Sequence, residues 1–177
     1  MIDQKNISLK MSSDIDEMEK MLNNYLQFAK TQSQEETTSI NLLSLLNEIK
    51  NDLNNKNLVF KNIENIVLKA RRHALKRCFE NVIQNSLTYG NKVYVDLKQA
   101  TNRVIINFED DGPGIPEDQY KNIFKPFFRL DKSRSLNKSG VGLGLAIVED
   151  IINSHGGNIQ LGKSKYKGLQ TKIFLPL

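Results

Sequence analysis

Three separated groups of residues in this 177-residue chain have the chemistry of a nucleotide site. Asn81 and Asn85 are four residues apart, so on a helix both amides lie on one face, where a carbonyl oxygen can ligate Mg²⁺ bound to a triphosphate. Asparagines at this spacing are more often ordinary surface residues of a helix. The pair therefore gains meaning only through the two groups that follow it.

The second group, residues 110–114, ends an apolar stretch with an acid, a proline and two glycines, Gly112 and Gly114. The carboxylate of Asp110 can accept a hydrogen bond from an exocyclic amine, and glycine lets the backbone approach a flat ring. Adenine offers such an amine, whereas guanine has a carbonyl there, so this group favours ATP over GTP. A tight acidic turn is the structural alternative.

The third group is a glycine-rich loop, in which Gly140, Gly142 and Gly144 lead into an apolar helical stretch. Bare amides at a helix start are suited to phosphate, because the helix dipole favours negative charge there. The loop has neither the Lys and Ser or Thr of a Walker loop nor the spacing of a dinucleotide fold. A basic segment precedes it, which predicts either a mobile lid that meets the triphosphate or a solvated surface. The cations of this segment are Lys125, Arg129, Lys132, Arg134 and Lys138.

Hydrophobic periodicity predicts the elements that must position these groups. Helices are expected over residues 41–53, 74–87 and 143–154, with a short helix between Pro116 and Pro126. Strands are expected over residues 58–60, 66–68, 93–97, 104–108, 159–161 and 171–175. This order predicts an α/β fold, a two-layer sandwich of a mixed sheet and helices, from about residue 40 onward.

The N-terminal part has a different pattern. From Met11 to Ala29 apolar residues recur at alternating steps of four and three, which predicts a coiled-coil-like helix that needs partner helices. A helix folded onto its own domain is the alternative. Residues 31–39 are polar and aperiodic, as in a linker. The expected organisation is therefore a helix over residues 1–30, a linker over 31–39 and one domain over 40–177.

The net charge of +5 and the pI near 9.2 could indicate binding to nucleic acid. Lys and Arg are, however, interspersed with acids and lack an aromatic-basic stripe, so no nucleic acid partner is expected. Cys78 lies on the apolar side of a predicted helix and is expected to be a small buried hydrophobe. The sequence shows no signal peptide and no apolar run of the ~20 residues that cross a bilayer, so we expect a cytoplasmic chain without a membrane segment.

With these motifs in this order, the chain resembles the catalytic ATP-binding domain of sensor histidine kinases, in the superfamily shared with Hsp90, gyrase and MutL. Residues 81–85 with Tyr89 resemble the N box, residues 110–114 the G1 box, residues 124–129 the F box and residues 140–145 the G2 box. Gly168 and Thr171 fit the closing segment of the family. The resemblance implies ATP with Mg²⁺, a metal held by Asn85 and adenine read by Asp110.

The resemblance also implies which residues act on the phosphates and which line the pocket. Asn81, Arg129 and Arg134 are implied as catalytic residues that position the γ-phosphate. The implied ATP-binding residues are Asn81, Asn85, Tyr89, Asp110, Gly112, Gly114, Ile115, Arg129, Arg134, Gly140, Val141, Gly142, Leu143, Gly144, Leu145 and Thr171. Thr88 departs from the family, because many relatives carry Lys or Arg there near the phosphates, so weaker phosphate affinity is expected.

The predicted N-terminal helix resembles the second helix of the family's dimerisation and phosphotransfer hairpin and is similar to that of osmosensing kinases of the EnvZ type. In that family the phosphoacceptor histidine lies on the first helix of the hairpin, and no such segment occurs here. His73 and His155 are both expected to be structural. The resemblance thus implies an N-terminally truncated kinase core that associates through residues 1–30, as a homodimer or with another chain.

Such a core would donate the γ-phosphate of ATP to a histidine not present in this chain, for relay to a response regulator of the OmpR type. Intact members of the family are anchored in the inner membrane. A truncated, non-catalytic fragment that binds ATP or pairs with the bundle helices of an intact kinase is the alternative. An ATPase or serine kinase is disfavoured, because those relatives carry a glutamate base where this chain has Asn81, which cannot take a proton.

Overall fold

The computed structural model describes residues 35–130 and 142–177, together with Met11, Ile15 and Glu19. The chain divides into two compact units, Met1–Glu35 and Glu36–Leu177. In the first unit, the three described residues before Glu35 are helical and exposed. The rest of the coiled-coil-like helix predicted over residues 1–30 lies outside the described residues, as does the predicted linker over residues 31–34.

The second unit alternates helices and strands. Its described helices are α1 (Leu42–Leu53), α2 (Arg72–Tyr89) and α3 (Gly144–Ser154), with one turn of 3₁₀ helix at Glu117–Gln119. Its described strands are β1 (Thr38–Asn41), β2 (Leu58–Ile63), β3 (Val67–Ala70), β4 (Val93–Ala100), β5 (Arg103–Asp110), β6 (Asn158–Lys163) and β7 (Leu169–Pro176). Every helix and strand expected for this unit is therefore present, and the strands are longer than predicted.

The main sheet is mixed, as predicted. Its five strands pair in the order β2-β4-β5-β7-β6, and within the described residues only the β2–β4 pair is parallel. Alternate residues of β4 and β5 are buried, among them Val93, Val95, Ile106 and Phe108, so one face of the sheet forms the core. Helices α2 and α3 pack on each other and on this sheet. The prediction of a two-layer α/β sandwich is thereby confirmed.

Helix α1 begins where its sequence can cap it. The side-chain oxygen of Asn41 accepts a hydrogen bond from the backbone N–H of Ser44 at 2.9 Å, which satisfies a donor of the first turn. The buried stripe of the helix consists of Leu42, Leu45, Leu46 and Ile49. On the surface, Lys76 of α2 contacts Glu48 at 2.7 Å and Asp52 at 2.6 Å, which aligns α1 with α2 although such exposed pairs add little stability.

Helix α2 carries the first group of candidate residues. Its core side is formed by Ala74, Leu75, Cys78, Phe79, Val82 and Ile83. Cys78 is fully buried, as predicted, and burial raises the pKa of its thiol, which therefore stays protonated. None of the helices in the described part of the chain is long and apolar enough to cross a membrane.

Strand β1 is an element that the sequence did not predict. It pairs antiparallel with β3, from Thr38 opposite Ala70 to Asn41 opposite Val67. Thr38 and Ser39, which fall within the segment predicted as a linker, therefore lie in a strand. Ile40 is the one buried residue of β1, so the strand has no alternation of apolar residues that could have revealed it.

Candidate functional site

The carboxylate of Asp110 is held at the end of β5 by two backbone N–H groups. Its Oδ1 accepts hydrogen bonds from the backbone N–H of Gly112 at 2.9 Å and of Leu169 at 3.0 Å. Ser86 of α2 is also buried, and its side chain is one of the groups that lower the pKa of this carboxyl. Asp110 is only 3% exposed, so the acidic group is desolvated and fixed in position. Ser86 and Leu169 were not among the predicted site residues.

The environment of Asp110 acts on its pKa in both directions. Burial raises the pKa, while the hydrogen bonds from Leu169 and Gly112 and the side chain of Ser86 lower it, and the nearby negative charge of Asp111 raises it. The net pKa is above the usual range for aspartate. Asp111 itself has the opposite behaviour, because hydrogen bonds from the N–H groups of Lys92 and Asn91 hold its pKa below that range. Of these two adjacent acids, Asp110 belongs to the candidate site, whereas Asp111 accepts hydrogen bonds that stabilise the turn after α2.

Glycines bring the backbone close around this carboxylate. A Cβ on Gly112 would lie 3.0 Å from both Asp110 Oδ1 and the carbonyl oxygen of Tyr89. Gly114 has a φ of +71°, which other residues rarely adopt. The tightest contact is at Gly168, where a Cβ would lie 1.9 Å from Asp110 Oδ1. The sequence motifs indicated Gly168 only as part of a closing segment, without a role at the site.

The first and third predicted groups meet where α3 begins. A Cβ on Gly144, the first residue of α3, would lie 3.6 Å from Oδ1 of Asn81, so the side chain of Asn81 faces the helix start. The amide nitrogen of Asn81 is buried and has no hydrogen-bond partner among the described residues. A buried donor without a partner is costly, and a ligand oxygen would satisfy it. The start of α3 therefore combines backbone amides with a side-chain donor, as an anion site requires.

The described part of the glycine-rich loop, residues 142–144, contacts the segment that resembles the F box. The backbone N–H of Phe127 donates to the carbonyl of Gly142 at 2.9 Å, and a Cβ on Gly142 would lie 2.9 Å from the carbonyl oxygen of Phe128. Gly142 has a φ of +79°, so this close approach depends on glycine. Leu143 is buried.

The remaining predicted residues are placed as follows. Tyr89 is exposed at the end of α2, and Thr171 is buried opposite Phe108 of β5. Asn85, Ile115, Arg129 and Leu145 are half-buried. Arg134, Gly140 and Val141 lie outside the described residues, as do Lys132 and Lys138, so their roles stay predictions.

The donor set can be compared with what Mg²⁺ requires. The described residues contain no group of three or more His, Cys, Asp or Glu that could hold a metal ion. Asn85 can supply one amide oxygen from α2. Since Mg²⁺ usually keeps several waters and takes other ligands from substrate phosphates, one protein oxygen fits an ion that arrives with a triphosphate.

His155 is bound into the fold by both ring nitrogens. Its Nε2 accepts from the backbone N–H of Arg71 at 3.1 Å, and its Nδ1 lies 2.7 Å from the carbonyl oxygen of Ile151. These contacts join the end of α3 to the start of α2, which is a structural role, as predicted. His73 is exposed in the first turn of α2.

A separate cavity of about 280 Å³ lies beside α3 and β6. Its lining residues are Tyr120, Lys121, Phe124, Glu149, Ile159 and Leu161. None of them contributes to the hydrogen bonds around Asp110, so this cavity is distinct from the candidate site.

Comparison with known proteins shows the family to which the chain belongs. Residues 70–177 match the family described as the histidine kinase-, DNA gyrase B- and HSP90-like ATPases. The chain is 32% identical over 182 residues to the sensor histidine kinase GtrS of Pseudomonas aeruginosa, covering 99% of this chain and 37% of that protein. It is 39% identical over 106 residues to the sensor histidine kinase CpxA of Escherichia coli K12, covering 59% of this chain and 23% of CpxA.

Among solved structures, the histidine kinase domain of the E. coli osmosensor EnvZ is similar, with a TM-score of 0.62 and 34% identity. The match covers 81% of this chain and 91% of that domain. The chain thus spans 37% of the length of GtrS and 23% of that of CpxA, whereas it accounts for nearly all of the separate EnvZ domain.

Proposed function

Because this chain belongs to the histidine kinase-, DNA gyrase B- and HSP90-like ATPase family and has the ATP-binding catalytic domain of a sensor histidine kinase, we propose that it is a phosphoryl donor. In this proposal it binds ATP with Mg²⁺ and transfers the γ-phosphoryl group to an imidazole nitrogen of a histidine on another segment, with ADP as the product. The observation that carries the proposal is the carboxylate of Asp110, buried and held by the backbone N–H groups of Gly112 and Leu169.

The base would be recognised by Asp110. An ionised carboxylate can only accept hydrogen bonds, so it suits the exocyclic amine of adenine and repels the carbonyl oxygen that guanine has at that position. Burial strengthens this selection. When the bound base lacks the amine, water cannot take its place as the hydrogen-bond donor to the buried carboxylate.

The phosphates would lie at the start of α3. The helix dipole and the free backbone amides there favour negative charge, and the buried amide nitrogen of Asn81 could donate to a phosphate oxygen. Asn85 would supply the protein oxygen to Mg²⁺, which neutralises phosphate charge when bound. Arg129 and Arg134 would then complete the positioning of the γ-phosphate, so that catalysis is mainly alignment and charge stabilisation.

The whole protein's role is part of the same proposal. We assign residues 1–30 to the dimerisation helix and residues 40–177 to the catalytic domain. The segment predicted as a linker, residues 31–39, ends within strand β1, because Thr38 and Ser39 pair with β3 of that domain. The helical, exposed residues Met11 and Ile15 are consistent with a helix that needs a partner. An osmosensing kinase of the EnvZ type that relays phosphate to an OmpR-type response regulator is the specific form that the motifs favour.

Phosphoryl transfer between separate molecules tests this function. The full chain is incubated with Mg²⁺, ATP radiolabelled at the γ-phosphate, and a purified kinase hairpin that carries the acceptor histidine. Acid-labile label on the hairpin is expected, and none on the same hairpin with that histidine changed to alanine. Asn85→Ala should lower the transfer rate roughly 100-fold, by loss of a metal ligand, whereas Asn153→Ala, an exposed asparagine of α3, should not.

Two other results would assign the chain differently. ATP binding without transfer to any hairpin would favour the non-catalytic fragment. Steady release of inorganic phosphate by the chain alone would favour an ATPase and would contradict the reading of Asn81 as a residue that cannot act as a base.

The pH dependence of ATP binding should report the ionisation of Asp110. Burial raises the pKa of this carboxyl, and only the ionised form can accept from the adenine amine. ATP affinity is therefore expected to fall on acidification at a pH above the usual range for aspartate. Titrations across the acidic and neutral range, repeated with Asp110→Asn, should show an acid limb for the natural chain and none for the variant.

The same group has the opposite effect on the stability of the fold. Because the pKa of Asp110 is higher in the folded state, its favourable contribution is present at low pH and is lost as pH rises through that raised pKa. A weaker ATP affinity on acidification is thus not a sign of unfolding through Asp110. Circular dichroism at each pH separates the two effects, and a loss of folded signal in step with ATP affinity would contradict this assignment.

A further inference from the structure

We propose that Glu109 is a positioning residue for adenine, because it fixes the turn over residues 164–168 against the end of β5. That turn leads into Leu169, whose N–H donates to Asp110. The inference rests on the proposed function, since it concerns how the adenine-binding carboxylate is held in place. Glu109 lies directly before Asp110 in β5 and was not among the predicted site residues.

The last two residues of β5 contact the same turn from opposite faces of the sheet, because successive side chains of a strand alternate between its faces. On one face, Oε1 of Glu109 accepts a hydrogen bond from the backbone N–H of Lys165 at 3.1 Å. On the other, Oδ1 of Asp110 accepts from the N–H of Leu169 at 3.0 Å. The carbonyl of Asp110 also accepts from the N–H of Gly168 at 3.1 Å. Glu109 thus holds the start of the turn, and Asp110 contacts its end.

The carboxylate of Glu109 is buried, and both of its oxygens accept hydrogen bonds. The residue is 2% exposed. Its Oε2 lies 3.1 Å from Nδ2 of Asn107 and 3.2 Å from Nζ of Lys165. A buried carboxylate is costly unless donors surround it, so Glu109 favours the turn conformation that brings the backbone N–H of Lys165 to Oε1. The side chain of Lys165 is 59% exposed, so its ion pair adds less than this backbone hydrogen bond.

The next residue of the turn is held by a second contact. The ring of Tyr166 stacks on that of Tyr94, with centroids 3.6 Å apart and an angle of 19° between the ring planes. Tyr94 of β4 is the cross-strand partner of Glu109. Two adjacent positions of the sheet therefore contact two consecutive residues of the turn, Lys165 and Tyr166. This fixes the turn against β4 and β5, and with it the donor that follows the turn.

The experiment compares two ligands that differ only in the recognised amine. Affinities of the full chain for ATP and for purine riboside triphosphate, which lacks that amine, are measured by calorimetry with Mg²⁺. Glu109→Ala is expected to lower the preference for ATP over the analogue about tenfold, with little change for the analogue, because the turn loses a hydrogen bond to a charged group and Asp110 loses its fixed orientation.

Glu64→Ala is the matched control. Glu64 is also a glutamate that accepts from a backbone N–H, that of Gln99 at 2.8 Å, but at the end of β4 opposite to the end that pairs with Asp110. Glu109→Gln is the conservative variant, since its amide oxygen can still accept from the N–H of Lys165, and it should retain most of the natural preference. In an Asp110→Asn background, Glu109→Ala should change the preference no further.

Tyr166→Leu removes the ring stack and should lower the preference about threefold, the effect of losing one aromatic pair. It decides the question if Glu109→Ala does not fold. Equal weakening of both ligands, or an unchanged preference, in a folded Glu109→Ala protein would overturn the inference and assign Glu109 to stability alone. If the natural chain binds neither ligand, the proposed function itself fails, which is a distinguishable result.

Discussion

Replacing Gly168 with alanine is expected to abolish ATP binding and to destabilise the domain. The added Cβ would lie 1.9 Å from Asp110 Oδ1, 2.5 Å from the Asp110 carbonyl oxygen and 2.6 Å from the backbone nitrogen of Gly112. Two of these atoms belong to the backbone and the third to a carboxylate held by two backbone donors, so none can move aside cheaply. The turn between β6 and β7 must separate from the end of β5, and this separation carries Asp110, the proposed adenine-binding acid, away from its place.

Overpacking of this kind costs about 3 kcal/mol or more of unfolding free energy, and displacement of Asp110 should lower ATP affinity by at least roughly 100-fold. Chemical denaturation and calorimetric titration measure the two effects. Gly162→Ala is the matched control, since a Cβ there would meet only the flexible side chain of Gln170, at 3.1 Å. A Gly168→Ala protein with natural stability and ATP affinity would show that this close approach is not required.

Replacing Asp110 with asparagine is expected to reverse the preference between ATP and ITP. The asparagine oxygen can still accept from the N–H groups of Gly112 and Leu169, which leaves the side-chain NH₂ to face the base. This NH₂ group and the amine of adenine are both donors, so they cannot form a hydrogen bond with each other. The NH₂ group can, however, donate to the carbonyl oxygen of hypoxanthine, the base of ITP. ATP affinity should fall on the order of 100-fold, while ITP affinity rises, because a site that is built for one hydrogen-bond pattern rejects its complement strongly.

Calorimetry with both nucleotides and Mg²⁺ checks this reversal. Asp96→Asn is the matched control, because Asp96 is also an acid that accepts from a backbone N–H, that of Asn62, but on the strand β4 and outside the site. It should leave the ratio unchanged. Loss of both nucleotides in Asp110→Asn, with the fold intact, would mean that the carboxylate acts on something other than the exocyclic amine.

The architecture could be predicted because its signals are local. The buried stripe of α1 follows helical spacing from the Asn41 cap, and the β4–β5 hairpin follows alternation from Val93 to Phe108. Asp110 was identified because it directly ends the apolar part of β5. In each case the residues that carry the signal are neighbours in the sequence, so their chemistry could be read without knowledge of the pairing.

The assembly of the site could not be predicted in the same way. The bond between Asp110 and Leu169 joins residues 59 positions apart, and it depends on the pairing of β5 with β7. Gly168 carries no side chain to signal its role, which became apparent only from the atoms around it. The contribution of Arg134 and Gly140 stays a prediction from motif resemblance.

Burial of the Asp110 carboxylate lowers the stability of the domain when no nucleotide is bound. A charge kept from solvent weakens the apo domain near neutral pH, where burial opposes its ionisation. Bound nucleotide offsets this loss and stabilises the folded domain further through mass action. The buried charge thus lowers the stability of the free domain and raises its selectivity for adenine, as is common at binding sites. The resistance of the domain to an added protease should accordingly increase with the concentration of adenine nucleotide.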